Sequence, residues 1–310
     1  MLRYALKRLA LIVPLLVGIS LVTFTLINLS PSDPAEVALR VNDITPTAEA
    51  IAQMHQELGL DKPIVERYTL WLNALVHGDF GVSYATKRPV LEEILHALPT
   101  TLMLASLCLV LIVSFGLGFG ILCALYEGTW LDTLVRGLVF FFTAMPSFWI
   151  GLLLIWFFAF YMGVLPTSGL EHANGIVLPA ITLSLSYVAT YIRLMRNTMI
   201  ETQHEPYVLY ARARGLSERV ITKHIVRNAL HPFMVALGMS IPKLIAGTVI
   251  VENIFALPGI GRVCVSAIFS RDYPMIQAYV LFMALLFMLF NLAVDLLATH
   301  FDPRLRRRIA

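Results

Sequence analysis

Residues Pro99 to Tyr126 read PTTLMLASLCLVLIVSFGLGFGILCALY, a run without a charged side chain. A helix needs about 20 predominantly apolar residues to cross the hydrocarbon core of a bilayer. This run is long enough, and other parts of the chain have the same character. We therefore predict six membrane-spanning helices, at Leu9 to Leu29, Pro99 to Tyr126, Gly137 to Met162, Gly175 to Ile192, Pro232 to Val251 and Pro274 to Leu297.

The composition also indicates a membrane protein. Of the 310 residues, 58% are hydrophobic and 14% are charged, whereas ordinary soluble domains have about 25% charged residues. We predict an all-α, multi-pass integral membrane protein. The first span follows Arg3, Lys7 and Arg8 as a signal peptide would, but it is longer than the usual apolar core of one and no small-x-small cleavage site follows it. We expect it to be retained as a helix.

The basic residues predict the orientation of the spans. Six spans put both termini on one side, and that side carries fifteen Lys and Arg against seven on the other, with Lys243 inside the membrane. Basic residues are in excess on the cytoplasmic side of membrane proteins. We therefore expect cytoplasmic N and C termini.

The outer segment between the first two spans, residues 30–98, has ten acidic and five basic residues. Apolar residues recur at helical spacing in Ala48 to Leu58 and in Pro63 to His77, and each stretch ends at a glycine. This pattern predicts two short amphipathic helices. They form either a docking surface for an external partner or a cap packed on the protein's own bundle.

The longest inner segment, residues 193–230, predicts a short separate helix. Pro206 is suited to the start of a helix, Gly215 to its end, and Ser217 to the N-cap of the next helix. A helix of this length is marginal in water alone, so it must pack against something. Anionic lipid is one candidate surface, but the small residues Ala211, Ala213 and Gly215 favour close approach by a protein partner.

At these residues the chain resembles the inner-membrane permease subunits of the dipeptide, oligopeptide and nickel ABC importers. The matching residues of the inner loop are Tyr207, Ala211, Arg212, Ala213, Arg214, Gly215, Leu216, His224, Arg227, Asn228, Ala229 and Pro232, with Arg214 where the family usually has Lys. Further fragments in family order are Pro31-Ser32-Asp33-Pro34, Leu58-Gly59-Leu60-Asp61, Gly78-Asp79-Phe80-Gly81, Leu98-Pro99-Thr100-Thr101-Leu102, Met145-Pro146-Ser147-Phe148-Trp149, Glu252-Asn253-Ile254-Phe255, Asp272-Tyr273-Pro274 and Asp302-Pro303-Arg304. Each fragment alone is weak, but their order and spacing together are specific.

The resemblance implies the type I ABC importer permease fold in a bacterial inner membrane. It implies a coupling helix, formed by Tyr207, Ala211, Arg212, Ala213, Arg214, Gly215 and Leu216, that sits in a groove of an ATP-hydrolysing subunit. The implied partners are a second, homologous permease subunit, two P-loop ATPase subunits and a periplasmic substrate-binding protein, besides membrane lipid and without nucleic acid. The implied organisation is a first span with its periplasmic helical loop (1–94), a five-helix permease domain containing the inner loop 193–230 (95–298) and a basic cytoplasmic tail (299–310).

The sequence contains no motif for chemistry of its own. It lacks the G-x-x-x-x-G-K-[ST] phosphate loop, the H-E-x-x-H zinc motif and the G-x-S-x-G nucleophile turn. The eight His are scattered, and the three Cys lie far apart without metal-site or disulfide spacing. We predict a non-catalytic chain without a metal site or cofactor, with ATP and Mg²⁺ on partner subunits.

Three ionisable residues fall in or beside the predicted spans. Lys243, Glu252 and Asp295 are candidates for the translocation path, because charged groups in a membrane usually face a bundle interior or a watery pathway. Glu252 and Asp295 could instead reach interfacial water, and Lys243 could pair within the bundle. The Gly- and Pro-containing segment 252–275 predicts a shaped outer turn, either at the mouth of the path or as a plain connector.

The length of one connector narrows the choice of cargo. Between the third and fourth spans, Gly163 to Asn174 is short, as in the nickel and metal-chelate branch of the family, whereas peptide-transporting members often have a long insert there. We therefore predict import of nickel or a metal chelate, with a short peptide as the alternative. An ion-coupled secondary carrier is the competing class, although no inverted pair of broken helices is evident in the sequence.

Overall fold

The computed structural model describes residues 2–29 and 33–301. Pro31, Ser32 and the fragment Asp302-Pro303-Arg304 lie outside the described residues, as do residues 302–310 of the predicted tail. Within the described part the chain is helical, and its only β feature is an isolated antiparallel bridge between Val82 and Pro89. The α-helices are α1 Leu2–Asn28, α2 Pro34–Val41, α3 Ala48–Glu57, α4 Ile64–Val76, α5 Val90–Leu125, α6 Trp130–Ala144, α7 Ser147–Leu154, α8 Val177–Gln203, α9 Pro206–Ala213, α10 Glu218–Ile254, α11 Ile260–Phe269 and α12 Tyr273–Phe301.

Five of the six predicted spans are present as single long helices, and two of these, α5 and α10, begin well before their predicted starts. Helices α1, α5, α8, α10 and α12 are each long and apolar enough to cross a membrane. Two spans are predicted to start at Pro99 and Pro232, but α5 begins at Val90 and α10 at Glu218, and both helices continue through these prolines. Proline is tolerated inside membrane helices where neighbouring groups satisfy the freed carbonyl.

The third predicted span is not one straight helix, so our prediction of a single helix over Gly137 to Met162 is wrong. Helix α6 ends at Ala144, and α7 starts at Ser147 with a 108° change of direction. Pro146 has no N–H for the helix ladder and its ring disfavours helical geometry at the preceding residue. Met145 accordingly adopts an extended conformation, with φ −88° and ψ 136°. A π-helical segment, Ile155–Tyr161, prolongs α7.

The described chain forms two compact units. Of the described residues, unit 1 comprises 2–29, 33–100 and 258–301, and unit 2 comprises Thr101–Leu257. In unit 1, α1 packs along α12 and α11 packs on α12. Its core is a cluster of buried side chains from the start of α5, from α11 and from the start of α12, namely Val90, Ile94, Ala97, Ile260, Ala267, Met275 and Ala278.

The outer segment of unit 1 is a cap that packs on the bundle. The two predicted amphipathic helices are confirmed as α3 and α4, and a third helix, α2, precedes them. The rings of Tyr68 and Trp71 in α4 contact the ring of Phe24 in α1, at centroid distances of 5.3 and 5.7 Å. The Tyr68 hydroxyl also lies 2.8 Å from the Ser20 hydroxyl. These contacts fasten the cap to α1.

Polar contacts hold the cap together internally. Asp33 caps α2 by accepting from the Ala35 N–H at 2.9 Å and lies 2.7 Å from Nε2 of His55 in α3. Burial acts to raise the pKa of Asp33, but the hydrogen bonds from His55 and Ala35 outweigh it and bring the pKa below its ordinary value. The cap helices α2 and α3 are therefore joined through one carboxylate.

A second carboxylate joins the outer loop to the start of α12. Asp272 is 2% exposed and accepts hydrogen bonds from the Ser83 hydroxyl at 2.5 Å and from the Met275 N–H at 3.3 Å. The second bond is the one an N-cap side chain makes. Burial, and then the charge of Asp272, raise the pKa of the nearby Tyr84 phenol to about 12.

In unit 2, α8 packs against α10, α6 and α7. Helix α5 approaches α8 closely at two glycines of α5, which have no side chain. A Cβ at Gly116 would lie 2.9 Å from the Tyr191 Cβ, and one at Gly120 would lie 2.6 Å from the Met195 Cβ. Glycines four residues apart allow such close packing of membrane helices. Our sequence interpretation did not identify this pair.

We expect Gly120→Ala to destabilise the protein by about 1–3 kcal/mol, because the added methyl group overlaps Met195 and α5 must move away from α8. Gly118→Ala is the matched control, since a Cβ there meets nothing within 4 Å. The control should be neutral or slightly stabilising, because Ala favours helix over Gly. Thermal unfolding in detergent would measure both, and equal stability of the two variants would contradict the close packing.

Candidate functional site

The predicted short helix of the inner segment is confirmed as α9. Pro206 occupies its first turn after an extended Glu205, where the missing N–H costs no intrahelical bond. At the other end, the Gly215 N–H bonds to the Arg212 carbonyl at 2.9 Å and the Leu216 N–H to the Ala211 carbonyl at 3.2 Å. This is the Schellman arrangement, which requires left-handed backbone at the residue after the cap. Gly215 has φ +73° and supplies it.

Helix α9 is attached to α10 by two side chains, and a third, Val208, is completely buried. The Tyr207 hydroxyl accepts a 2.6 Å hydrogen bond from the Asn228 amide, and Arg212 lies 3.3 Å from the Glu218 carboxylate. Val208 was absent from our predicted set, although an apolar residue next to the Pro206 start is a signal for such an anchor.

The opposite side of α9 faces outward. Leu209, Tyr210 and Leu216 are 59%, 65% and 46% exposed, and the Arg214 guanidinium lies over the Tyr210 ring at 5.6 Å. The predicted residues Arg212, Ala213, Arg214, Gly215 and Leu216 are all exposed, whereas Ala211 is half-buried. The end of α9 is thus apolar, cationic and low in bulk, which suits insertion into a groove of another protein.

A buried ion pair joins α6 to α8 before the chain enters α9. Asp132 has no exposed surface and receives Nε and Nη2 of Arg196 at 2.7 and 2.8 Å, besides the Gly128 N–H at 3.1 Å. Bidentate pairs of this kind fix geometry strongly. Sequence reasoning missed the pair, because no spacing rule relates residues 132 and 196.

Glu252 is fully buried near the end of α10, and its carboxylate accepts a 2.6 Å hydrogen bond from the Thr101 hydroxyl of α5. The alternative in which Glu252 reaches interfacial water is therefore wrong. A buried carboxyl group is expensive unless hydrogen bonds satisfy it, and Thr101 supplies one.

The other two path candidates differ from Glu252. Lys243 is exposed on α10 and makes no ion pair with any residue the structure describes, so the alternative of pairing within the bundle finds no support here. Asp295 lies 3.1 Å from Arg8, with both side chains part-exposed. This pair joins the end of α12 to the beginning of α1 within unit 1.

The predicted outer turn 252–275 contains a helix that we did not expect. In unit 1, Gly259 precedes α11, Ile260–Phe269, and Arg271 then reverses the chain with φ +54°. A cavity of about 300 Å³ lies beside α11, and Arg262, Glu93 and Ser266 are among the residues that line it. Among the described residues, no group of three His, Cys, Asp or Glu is placed to hold a metal ion.

Comparison with known proteins matches both parts of the chain. Residues 116–307 match the family described as binding-protein-dependent transport system inner membrane component, and residues 1–105 match the N-terminal membrane component of the same systems. The chain is 38% identical over 308 residues to the metal-staphylopine import system permease protein CntB of Staphylococcus aureus, covering 99% of each. It is 36% identical over 307 residues to the glutathione transport system permease protein GsiC of Escherichia coli, again covering 99% of each.

We expect Glu252→Ala to lower the free energy of unfolding by about 1–3 kcal/mol, because it removes the acceptor of a buried hydroxyl. Glu252→Gln should have a much smaller effect, since the amide oxygen can still accept from Thr101. Thermal unfolding of the purified protein would compare them with Glu201→Ala, at an exposed position on α8. If Glu252→Ala unfolds at the same temperature as Glu201→Ala, the hydrogen bond contributes nothing.

Proposed function

Because this chain belongs to the family of inner-membrane components of binding-protein-dependent transport systems, we propose that it is one of two similar permease subunits in an importer with two ATPase subunits. Family membership makes it a non-catalytic, multi-pass permease subunit of an ABC importer, which works with ATPase and binding-protein partners. The paired arrangement and the number of ATPases are our inference. Family membership also favours the ABC importer over the competing class, an ion-coupled secondary carrier.

The observation that supports the proposal is how α9 is held in place and which of its residues stay exposed. Helix α9 is fixed to α10 through Tyr207 and Arg212 and buries Val208, while Tyr210, Arg214 and Leu216 stay exposed at its end. A helix of eight residues is too short to be stable alone. It is held by tertiary contacts on one side and leaves a shaped surface on the other. We assign this surface to the ATPase subunit.

Movement of α9 would be transmitted through α10. This helix is continuous over 37 residues, about 55 Å at 1.5 Å per residue. It carries Asn228 and Glu218, which hold α9, close to one end, and Glu252 at the other. A rigid-body tilt driven by closure of the ATPases would therefore displace both ends together.

The orientation that follows places α9 and both termini in the cytoplasm. The support is the excess of basic residues on that side and the Arg8–Asp295 pair, which brings the beginning of α1 beside the end of α12. The cap α2–α4 then lies in the periplasm, where the binding protein delivers cargo. The organisation into 1–94, 95–298 and 299–310 stays a proposal on the same grounds.

For the path itself we propose Lys243 and Glu252 on α10. Both are ionisable groups on a helix that passes through the membrane, a position where such groups usually serve a pathway. The pairing of Asp295 with Arg8 supports a structural role for that residue instead.

We propose a metal chelate or nickel as cargo, with a short peptide as the second candidate. The short connector Gly163 to Asn174 supports the first, and so does the name of the metal-staphylopine permease. The name of the glutathione permease supports the second. The described residues include no group of three or more His, Cys, Asp or Glu placed to hold a metal ion, and we assign metal selection to the binding protein.

The coupling role of α9 predicts the effect of Gly215→Leu. No side chain is tolerated well at φ +73°, so the Schellman turn should be distorted and the exposed end of α9 should gain bulk. We expect the complex to assemble in the membrane and hydrolyse ATP, with uptake reduced at least about tenfold, a loss of about 1.4 kcal/mol. Uptake and ATP hydrolysis in proteoliposomes would be measured together.

Gly163→Leu is the matched control for Gly215→Leu. Gly163 has a similar φ of +65° and, like Gly215, has nothing within 4 Å of the position that a Cβ would occupy, but it lies in the connector after α7. A leucine at Gly163 would strain the backbone as a leucine at Gly215 does, but Gly163 is far from α9 along the chain. Equal uptake losses in the two variants would attribute the effect to strain alone and would contradict docking through α9.

Measuring uptake in a strain that lacks this chain would identify the cargo. We expect the deletion to abolish accumulation of radioactive nickel supplied with a chelator, and to leave growth on a dipeptide as sole amino-acid source unchanged. Nickel supplied without chelator separates the bare ion from the chelate, and restoring the native chain is the control. Loss of dipeptide growth with normal nickel accumulation would reverse the assignment.

A further inference from the structure

An open groove of about 870 Å³ runs between α6 and α8 in unit 2. Its wall on α6 is a single helical stripe, because Thr133, Arg136, Gly137, Phe140 and Ala144 recur at intervals of three or four residues. The stripe is about 16 Å long at 1.5 Å per residue. On α8 the wall is formed by Ile192, Arg193, Arg196 and Asn197.

One end of the groove is basic. The Asp132–Arg196 pair sets the two helices at the same level, so Arg136 and Arg193 lie at this end. Arg196 is already committed to Asp132 through two nitrogens, while Arg136 reaches Asp132 only at 4.0 Å and is 63% exposed. Arg193 is exposed and forms no ion pair with any part of the chain that the structure describes. Two guanidinium groups are therefore available to a ligand.

The other end of the groove is apolar. Phe140 lies one helical turn beyond Arg136, about 6 Å deeper along α6, and is 77% exposed. Val139, Ile192 and Ala144 continue the apolar wall, and Gly137 leaves room between the basic and apolar ends. Arg193 follows immediately after the apolar run Gly175 to Ile192. The change from basic to apolar therefore occurs at the membrane boundary.

We propose that this groove binds an anionic phospholipid, with the phosphate at Arg136 and Arg193 and an acyl chain along Phe140 and Ile192. Only an amphiphile matches both ends of the groove. A soluble anion would leave the apolar wall uncovered, and a neutral lipid would leave Arg193 without a counter-charge and Arg136 with only its 4.0 Å contact to Asp132. Basic pockets between membrane helices on the cytoplasmic side are suited to anionic headgroups, and Trp130, 76% exposed at the start of α6, is of the type that anchors at this level.

The test uses the importer complex purified with its partner subunits and placed in nanodiscs of equal phosphatidylglycerol and phosphatidylcholine with identical acyl chains. Native mass spectrometry of the released complex measures the ratio of the two lipids retained. We expect enrichment of phosphatidylglycerol, reduced about fivefold by Arg193→Ala, which follows from about 1 kcal/mol for each basic residue near a membrane surface. Arg193→Lys should keep most of the enrichment.

Arg219→Ala is the matched control, because Arg219 is an exposed arginine of the inner segment outside the groove, and it should leave the ratio unchanged. Arg136→Ala should repeat the loss seen with Arg193→Ala. Equal retention of both lipids by the native complex would overturn the proposal, as would an equal effect of Arg193→Ala and Arg219→Ala. If Arg193→Ala releases the second permease subunit while the lipid ratio stays the same, the groove is a subunit interface and the proposal is wrong.

Discussion

The close approach of α5 to α8 determines the packing of unit 2. Where α5 has Gly116 and Gly120, the Cβ atoms of Tyr191 and Met195 occupy the space that a side chain would need. Between membrane helices there is little hydrophobic driving force, because lipid tails are as apolar as the side chains, so tight van der Waals contact has to supply the attraction. Helix α8 is fixed further by the Asp132–Arg196 pair with α6 and by packing on α10. It is consequently the most constrained span of this unit.

The rigidity of α8 matters because the chain leaves it directly into α9. The Asp132–Arg196 pair lies two turns before the end of α8 at Gln203, and α9 begins at Pro206. One end of α9 therefore follows a fixed helix, and α9 is held to α10 through Tyr207 and Arg212. A short helix held this way can pass on a push only as a displacement of α8 or α10. Because α8 packs on α10, both helices would respond to a displacement of α9 in the proposed coupling.

Much of this architecture could be read from the sequence because its signals are local. Apolar runs of sufficient length predicted the spans, and Pro206 with Gly215 predicted both ends of α9, since each residue type fits a specific helix terminus. What could not be read depends on which face of a helix meets which neighbour. Hydropathy did not separate the buried Glu252 from the exposed Lys243, and no local pattern relates Asp132 to Arg196. Pro146, at which the chain bends, was visible in the sequence. The apolar residues on both sides of it nevertheless suggested one continuous span.

The polar groups of the membrane-spanning helices fall into two sets once their partners are known. Glu252 is satisfied by Thr101, Asp132 by Arg196 and Asp295 by Arg8, all within the chain. Lys243 and Arg193 form no ion pair with any described residue. A cation in a bilayer without a counter-charge is costly, so these two positions are retained at an energetic disadvantage unless something outside the chain balances them. In the proposed lipid site, Arg193 lies at the membrane boundary beside an apolar groove, where a lipid phosphate can reach it. Lys243 lies well inside α10, where only cargo, water in a pathway or another subunit can do so, and this difference in depth is why the two cations are assigned different ligands.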